Sequence, residues 1–158
     1  QPDLTFGWQN NFTWKNWDFS FFFRGTIGNK VLNNPRAAYA NNTYLIGTNA
    51  LDDELTYTMK ESSRVCSYYL ENGSFIRLDN LALGYTFDTK KINWLDKARL
   101  YFAAQNLFVI TGYKGLDPEV ELFRGESSDT DAGLSPGIEP RQFFPKARTF
   151  TLGVNLTF

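Results

Sequence analysis

Apolar and polar side chains alternate with period two at both ends of the chain. Phe150, Leu152, Val154, Leu156 and Phe158 fall on one side, and Thr151, Gly153, Asn155 and Thr157 on the other. Extended backbone keeps such a set on one face; a helix cannot. Leu4, Phe6, Trp8, Phe12 and Trp14 oppose Thr5, Gly7, Gln9, Asn11 and Thr13, with Asn10 the one polar residue on the apolar side. After Lys15–Asn16 the alternation resumes, with Trp17, Phe19, Phe21, Phe23 and Ile27 against Asp18, Ser20, Arg24 and Thr26, and Phe22 out of place. Two strands with so short a connection predict a hairpin. A third strand is expected over 74–87 and a fourth over 98–110. In the third, 75–80 run out of phase with Leu81, Leu83, Tyr85 and Phe87, which predicts a bulge. In the fourth, Asn106 interrupts the face made by Leu100, Phe102, Ala104 and Phe108. The predicted strands are 4–14, 17–28, 74–87, 98–110 and 149–158.

Their connections are unequal. Lys15–Asn16 and the stretch from Asp88 to Lys97 are short, whereas 29–73 and 111–148 are long. Short and long connections alternate, which puts both long loops on one side of the sheet, and loops of that length are usually functional. Two all-β architectures follow. One is a soluble sandwich with its apolar faces packed together, an aromatic-rich carbohydrate-binding module. The other is a segment of an antiparallel transmembrane barrel. Strands of about ten residues favour the barrel, because sandwich strands average about five or six. Aromatics make up 17% of the chain. Trp14, Trp17, Tyr85, Phe87, Trp94 and Phe158 collect at the short-turn end, as the periplasmic aromatic girdle of an outer-membrane barrel would. Five strands leave two unpaired edges, which lipid does not tolerate, so further strands must come from elsewhere.

Composition narrows the chemistry. The 16 Lys+Arg and 17 Asp+Glu give a net charge of −1, with no electrostatic footprint for nucleic acid. Histidine is absent, removing the commonest general base and transition-metal ligand. The single Cys66 rules out an internal disulfide framework. No apolar run is long enough for a membrane-crossing helix, and no basic-then-apolar leader follows Gln1, so the chain reads as processed or as a fragment. Nothing supports an enzyme.

With the strands placed, four co-linear stretches resemble the C-terminal end of the SusC-like (SusC/RagA) TonB-dependent outer-membrane transporters of Bacteroidetes. They are DLTFGWQNNFTWKNWDFSFFFRGTIGNKVLN (Asp3–Asn33), YLENGSFIRLDNLALGYTF (Tyr69–Phe87), ARLYFAAQNLFVITGYKGLDPEV (Ala98–Val120) and RTFTLGVNLTF (Arg148–Phe158). The resemblance implies the last five strands of a 22-stranded barrel. Its N-terminal plug, absent from this chain, would engage the TonB complex, and a SusD-like surface lipoprotein would cap it. Such pairs import oligosaccharides or peptides. The bilayer and the remaining barrel and plug are then the chain's partners.

Gln9, Asn11, Thr13, Asp18, Ser20, Arg24 and Thr26 are expected to face the lumen, among water, each other and the plug. Phe150, Leu152, Val154, Leu156 and Phe158 resemble the signal by which barrel-assembly machinery recognises outer-membrane proteins. Tyr39, Tyr44, Tyr113 and Phe123 are the loop candidates for substrate, because exposed aromatic faces stack on sugar rings or anchor a partner. Tyr57, Tyr68 and Tyr69 belong to the same long loop as Tyr39 and Tyr44. Asp52, Asp53 and Glu54 make that loop acidic, and Asp117, Glu119, Glu121, Glu126, Asp129 and Asp131 the other. Calcium is the one cofactor such oxygens could hold, but no EF-hand spacing is present, and a solvated acidic loop is the expected state.

Overall fold

The computed structural model describes residues 1–40, 47, 49, 51–52, 67–89, 94–120, 137–141 and 144–158. Its elements in chain order are β1 (Leu4–Trp14), β2 (Trp17–Ile27), β3 (Lys30–Leu32), α1 (Asn34–Tyr39), β4 (Leu70–Asn72), β5 (Phe75–Phe87), β6 (Lys97–Thr111) and β7 (Thr149–Thr157), with a 3-10 turn at Ser67–Tyr69. The five long strands make one open sheet in the order β1-β2-β5-β6-β7, the all-β arrangement that the alternation predicts. Two compact units are present: the sheet, and a unit made of Gln1–Asp3, Ile27–Ser74 and Thr111–Pro145.

In the sheet, antiparallel register brings like with like. Trp17, Phe19 and Phe21 on β2 stand opposite Tyr85, Leu83 and Leu81 on β5. Leu100, Phe102 and Ala104 on β6 stand opposite Val154, Leu152 and Phe150 on β7. Rings on β1 and β2 interlock, with Trp8 5.2 Å from Phe21 and Phe12 6.2 Å from Phe19. Cross-strand pairs of this kind stabilise a sheet by roughly 0.2–1 kcal/mol each. The face they build is uncovered: Leu152 is 73% exposed, Trp8 57% and Phe12 53%. A soluble sandwich would bury that face, so the sandwich expectation is corrected here.

Both irregularities foreshadowed by the pattern have local causes. Phe22 pairs with Asn80 but Phe23 pairs with Leu78, so Asp79 is the extra residue of a bulge, and the phase changes there. Asn106 sits at φ 51°, in the left-handed region that Asn tolerates best after Gly. Its side chain accepts from Arg77 Nη1 and donates to the Lys146 carbonyl at 2.7 Å.

The tight connection turns at Lys15, with φ 52° and its ammonium 5.2 Å over the Trp14 ring. At the same end, Tyr85 lies 4.7 Å from Trp17 and 4.9 Å from Phe87, and Trp94 stacks on Phe158 at 5.8 Å.

The second unit gives structure to the long connections, for which no element was expected. β3 pairs antiparallel with β4. α1 begins where the Asn33 side chain accepts the Arg36 N–H at 2.9 Å and Pro35 occupies the first turn, both favourable at a helix N-terminus. Ala37, Ala40 and Tyr69 form its small core, with Leu32 packed against them. Leu32 also forms a parallel bridge to Ile138.

Candidate functional site

On the polar face of the sheet, Arg99 grips Asp18 with two bonds, Nη2 to Oδ2 at 2.5 Å and Nε to Oδ1 at 3.0 Å. The pair straddles β5 at Gly84, where a Cβ would stand 2.5 Å from both partners, so the side chains lie flat across the bare backbone. Tyr101 extends the patch, its ring 5.5 Å from the Arg99 guanidinium. Each member is about a third exposed, so the pair contributes at most about 1 kcal/mol. Its effect is to lay both side chains across the backbone of β5. Further along, Arg24 Nε meets Asp79 Oδ2 at 2.9 Å, which anchors the bulge. Between these charges lies a shallow neutral cleft of about 300 Å³ lined by Gln9, Ser20, Phe22, Asn80, Ala82 and Gln105. Asp18, Arg24, Gln9 and Ser20 are therefore brought into two ion pairs and one cleft. Asn11 and Thr13 are exposed on β1, and Thr26 is half-buried opposite Phe75. The partner Arg99 was not anticipated, although it occupies the polar phase of its strand between Ala98 and Leu100.

In the connection unit, two carboxylates are consumed as fasteners. Glu139, fully buried, accepts the Tyr113 hydroxyl at 2.5 Å and the Leu116 N–H at 3.0 Å. Glu71 accepts Arg36 Nη1 at 2.9 Å, Asn33 Nδ2 at 3.3 Å and the Lys114 N–H at 3.0 Å. Residues 113–116 are thus tied both to 139 and to β4. These ties frame an open cavity of about 710 Å³ whose walls include Pro35, Arg36, Leu51, Asp52, Lys114 and Leu116. That volume lies within the range of small-molecule sites. Neither fastening glutamate stood among the sequence candidates.

Burial, then the bond to Glu139, pushes the Tyr113 phenol above its ordinary value. A raised acid group stabilises the fold while neutral, fully so below the ordinary phenol pKa of about 10. The contribution is lost as pH climbs beyond that value. We expect ultraviolet titration of the intact protein to show Tyr113 resisting ionisation at pH 11, and hydrogen exchange over 113–116 to accelerate above about pH 10. Normal titration of every tyrosine, with unchanged exchange, would contradict the clamp.

Tyr113 is 7% exposed, so its ring is not available to stack on a ligand, and its expected substrate role is corrected to a structural one. Tyr39 is 37% exposed at the end of α1. Tyr44 and Phe123 lie outside the described residues, as do Tyr57, Cys66, Asp53, Glu54, Glu121, Glu126, Asp129 and Asp131. Asp117 is also corrected: it is buried and accepts the Glu119 N–H at 2.9 Å, a turn fastener instead of a solvated acid. Phe150, Leu152, Val154, Leu156 and Phe158 are each at least half exposed.

No family model matches the chain. It is 34% identical over 171 residues to TonB-dependent receptor P3 of Formosa agariphila, across 99% of this chain and 16% of that protein. To TonB-dependent receptor SusC of Bacteroides thetaiotaomicron it is 31% identical, over 99% of this chain and 15% of the relative. A chain of the RagAB peptide importer in its closed-closed state superposes on the whole of this chain with a TM-score of 0.76 at 26% identity, over 17% of the matched chain. The chain therefore spans about one sixth of the relatives it matches.

Proposed function

The chain belongs to the SusC-like TonB-dependent outer-membrane transporters, as a segment of their β-barrel, and on that premise we propose that it serves as part of a nutrient importer. The observation that carries this reading is the two-faced sheet. Its uncovered apolar side chains meet lipid, and its flat polar face, with Asp18–Arg99 and Arg24–Asp79 lying along it, walls the path of the cargo. The cargo is an oligosaccharide or a peptide, captured with a SusD-like surface lipoprotein and moved with energy delivered through TonB. The relatives are receptors and transporters, which supports transport as the activity. Catalysis is no part of the reading.

The test is uptake by cells that carry the complete transporter. Accumulation of a labelled oligosaccharide or peptide mixture should vanish when TonB is deleted, and the lipoprotein should co-purify with the barrel in mild detergent. Uptake that persists without TonB contradicts the proposal.

A further inference from the structure

Asn10 is the one polar side chain on the apolar face of β1. It stands four residues from Trp14, at the short-turn end of the strand. Four extended residues span roughly 13 Å, and a strand tilt of about 40° sets Asn10 roughly 10 Å in from that end, inside an apolar belt about 25 Å tall. Its neighbours on this face are rings. Trp8 and Phe12 flank it along β1, and the two-residue turn at Lys15–Asn16 sets Phe21 of β2 across from it. Phe21 lies 5.2 Å from Trp8 and 6.1 Å from Phe12, so rings close three sides of the half-buried amide. A carboxamide carries two donor hydrogens and an acceptor oxygen with two lone pairs, and neither ring carbons nor hydrocarbon satisfies them. The Trp8 indole is a donor only and meets one lone pair at most.

The fourth side is the outer edge of the sheet, which β1 terminates in the order β1-β2-β5-β6-β7. Lipid tolerates no open edge, so in the complete transporter a further barrel strand lies along it. We propose that Asn10 hydrogen-bonds across this edge to a polar side chain on the lipid-facing side of that neighbouring strand, and that the bond fixes the register between the two. Rows of apolar side chains alternate with period two, so a slip of two residues keeps every one of them facing lipid. Such a slip strands both polar groups in hydrocarbon, which an apolar row alone would not penalise. The inference rests on the reading of this face as lipid-facing and adds to it a partner of stated chemistry.

The test uses the complete transporter in lipid vesicles. In a background free of other cysteines, Asn10→Cys is combined in turn with a cysteine at each lipid-facing position of the neighbouring strand. The position that forms a disulfide lies opposite, and its natural residue should carry a hydroxyl, amide or ionisable group. Asn10→Leu then gives a result whose sign decides. An amide alone in lipid is better replaced by leucine, whereas a paired one leaves its partner unsatisfied when removed. The variant should lower the urea midpoint, with the folded-to-unfolded ratio falling about fivefold or more. Leucine at both positions should restore the midpoint, since removing both partners is nearly neutral. If Asn10→Leu fails to assemble, the double variant should assemble. An apolar residue opposite Asn10, a midpoint raised by Asn10→Leu, or a double variant no better than the single one overturns the inference. A lipid-confined quencher against a probe at Phe21 separates the two readings. If it quenches, only the pairing falls; if it does not, the lipid-facing reading falls as well.

Discussion

Replacing Glu139 with alanine should release residues 113–116 from their clamp. The substitution deletes the acceptor of the buried Tyr113 hydroxyl and of the Leu116 N–H. A buried donor left without an acceptor costs roughly 1–3 kcal/mol. The partly exposed Leu116 N–H recovers some of its loss from water, so the phenol dominates. A loss of about 2 kcal/mol corresponds to roughly thirtyfold faster exchange by local opening. Hydrogen exchange of the complete transporter should show that acceleration over 113–116 and 137–141, with the strands of the sheet unchanged. Glu139→Gln keeps one acceptor oxygen and should lose much less. Equal protection in wild type and Glu139→Ala would mean that the carboxylate fastens nothing.

Replacing Gly25 with valine should destabilise the sheet itself. Gly25 on β2 is buried, and a Cβ there would stand 2.6 Å from the Phe6 ring and 2.6 Å from the Phe75 carbonyl oxygen. The ring could swing away, but the carbonyl belongs to the backbone of the neighbouring strand. Relief therefore means displacing β5 from β2. The β-propensity of valine favours the change by up to about 1 kcal/mol. Overpacking against fixed backbone costs about 1–3 kcal/mol, occasionally more, so the clash wins. The urea midpoint of the folded barrel should fall, and the heat-modifiable band should weaken. Gly112→Val, where an added Cβ meets nothing within 4 Å, is the control and should leave both unchanged. A midpoint that stays level in Gly25→Val would show that β2 and β5 are not packed this closely.

The long strands were legible because one face of each must be apolar and period two exposes that requirement directly. The misfits were legible too: the phase slip near Asn80 marked the Asp79 bulge, and Asn106 marked a residue whose side chain is engaged by Arg77. The pairing of Asp18 with Arg99 was not, because it crosses an intervening strand and depends on the bare backbone of Gly84. The helix α1 did carry a signal in Asn33-Asn34-Pro35, a cap followed by proline, but six residues are too few to show a helical period. The connection unit stayed hidden for a different reason. Its fasteners, Glu71 and Glu139, join positions tens of residues apart, and their burial follows from tertiary contacts that periodicity cannot report. Tyrosines in loops were read as exposed platforms, whereas Tyr113 and Tyr69 are consumed as local core.

Lipid on one face of the sheet and water on the other is tested most directly by cysteine labelling across that sheet. In the complete transporter, with Cys66 replaced by serine and the protein in liposomes, single cysteines would be placed at Ser20, Ala82 and Thr151 on the polar face and at Phe21, Leu83 and Leu152 on the apolar one. A water-soluble maleimide should label the first three after the barrel is opened to solvent. A lipid-confined quencher should reach probes at the second three alone. Uniform labelling of all six, in a protein that stays monomeric without detergent, would contradict the membrane barrel.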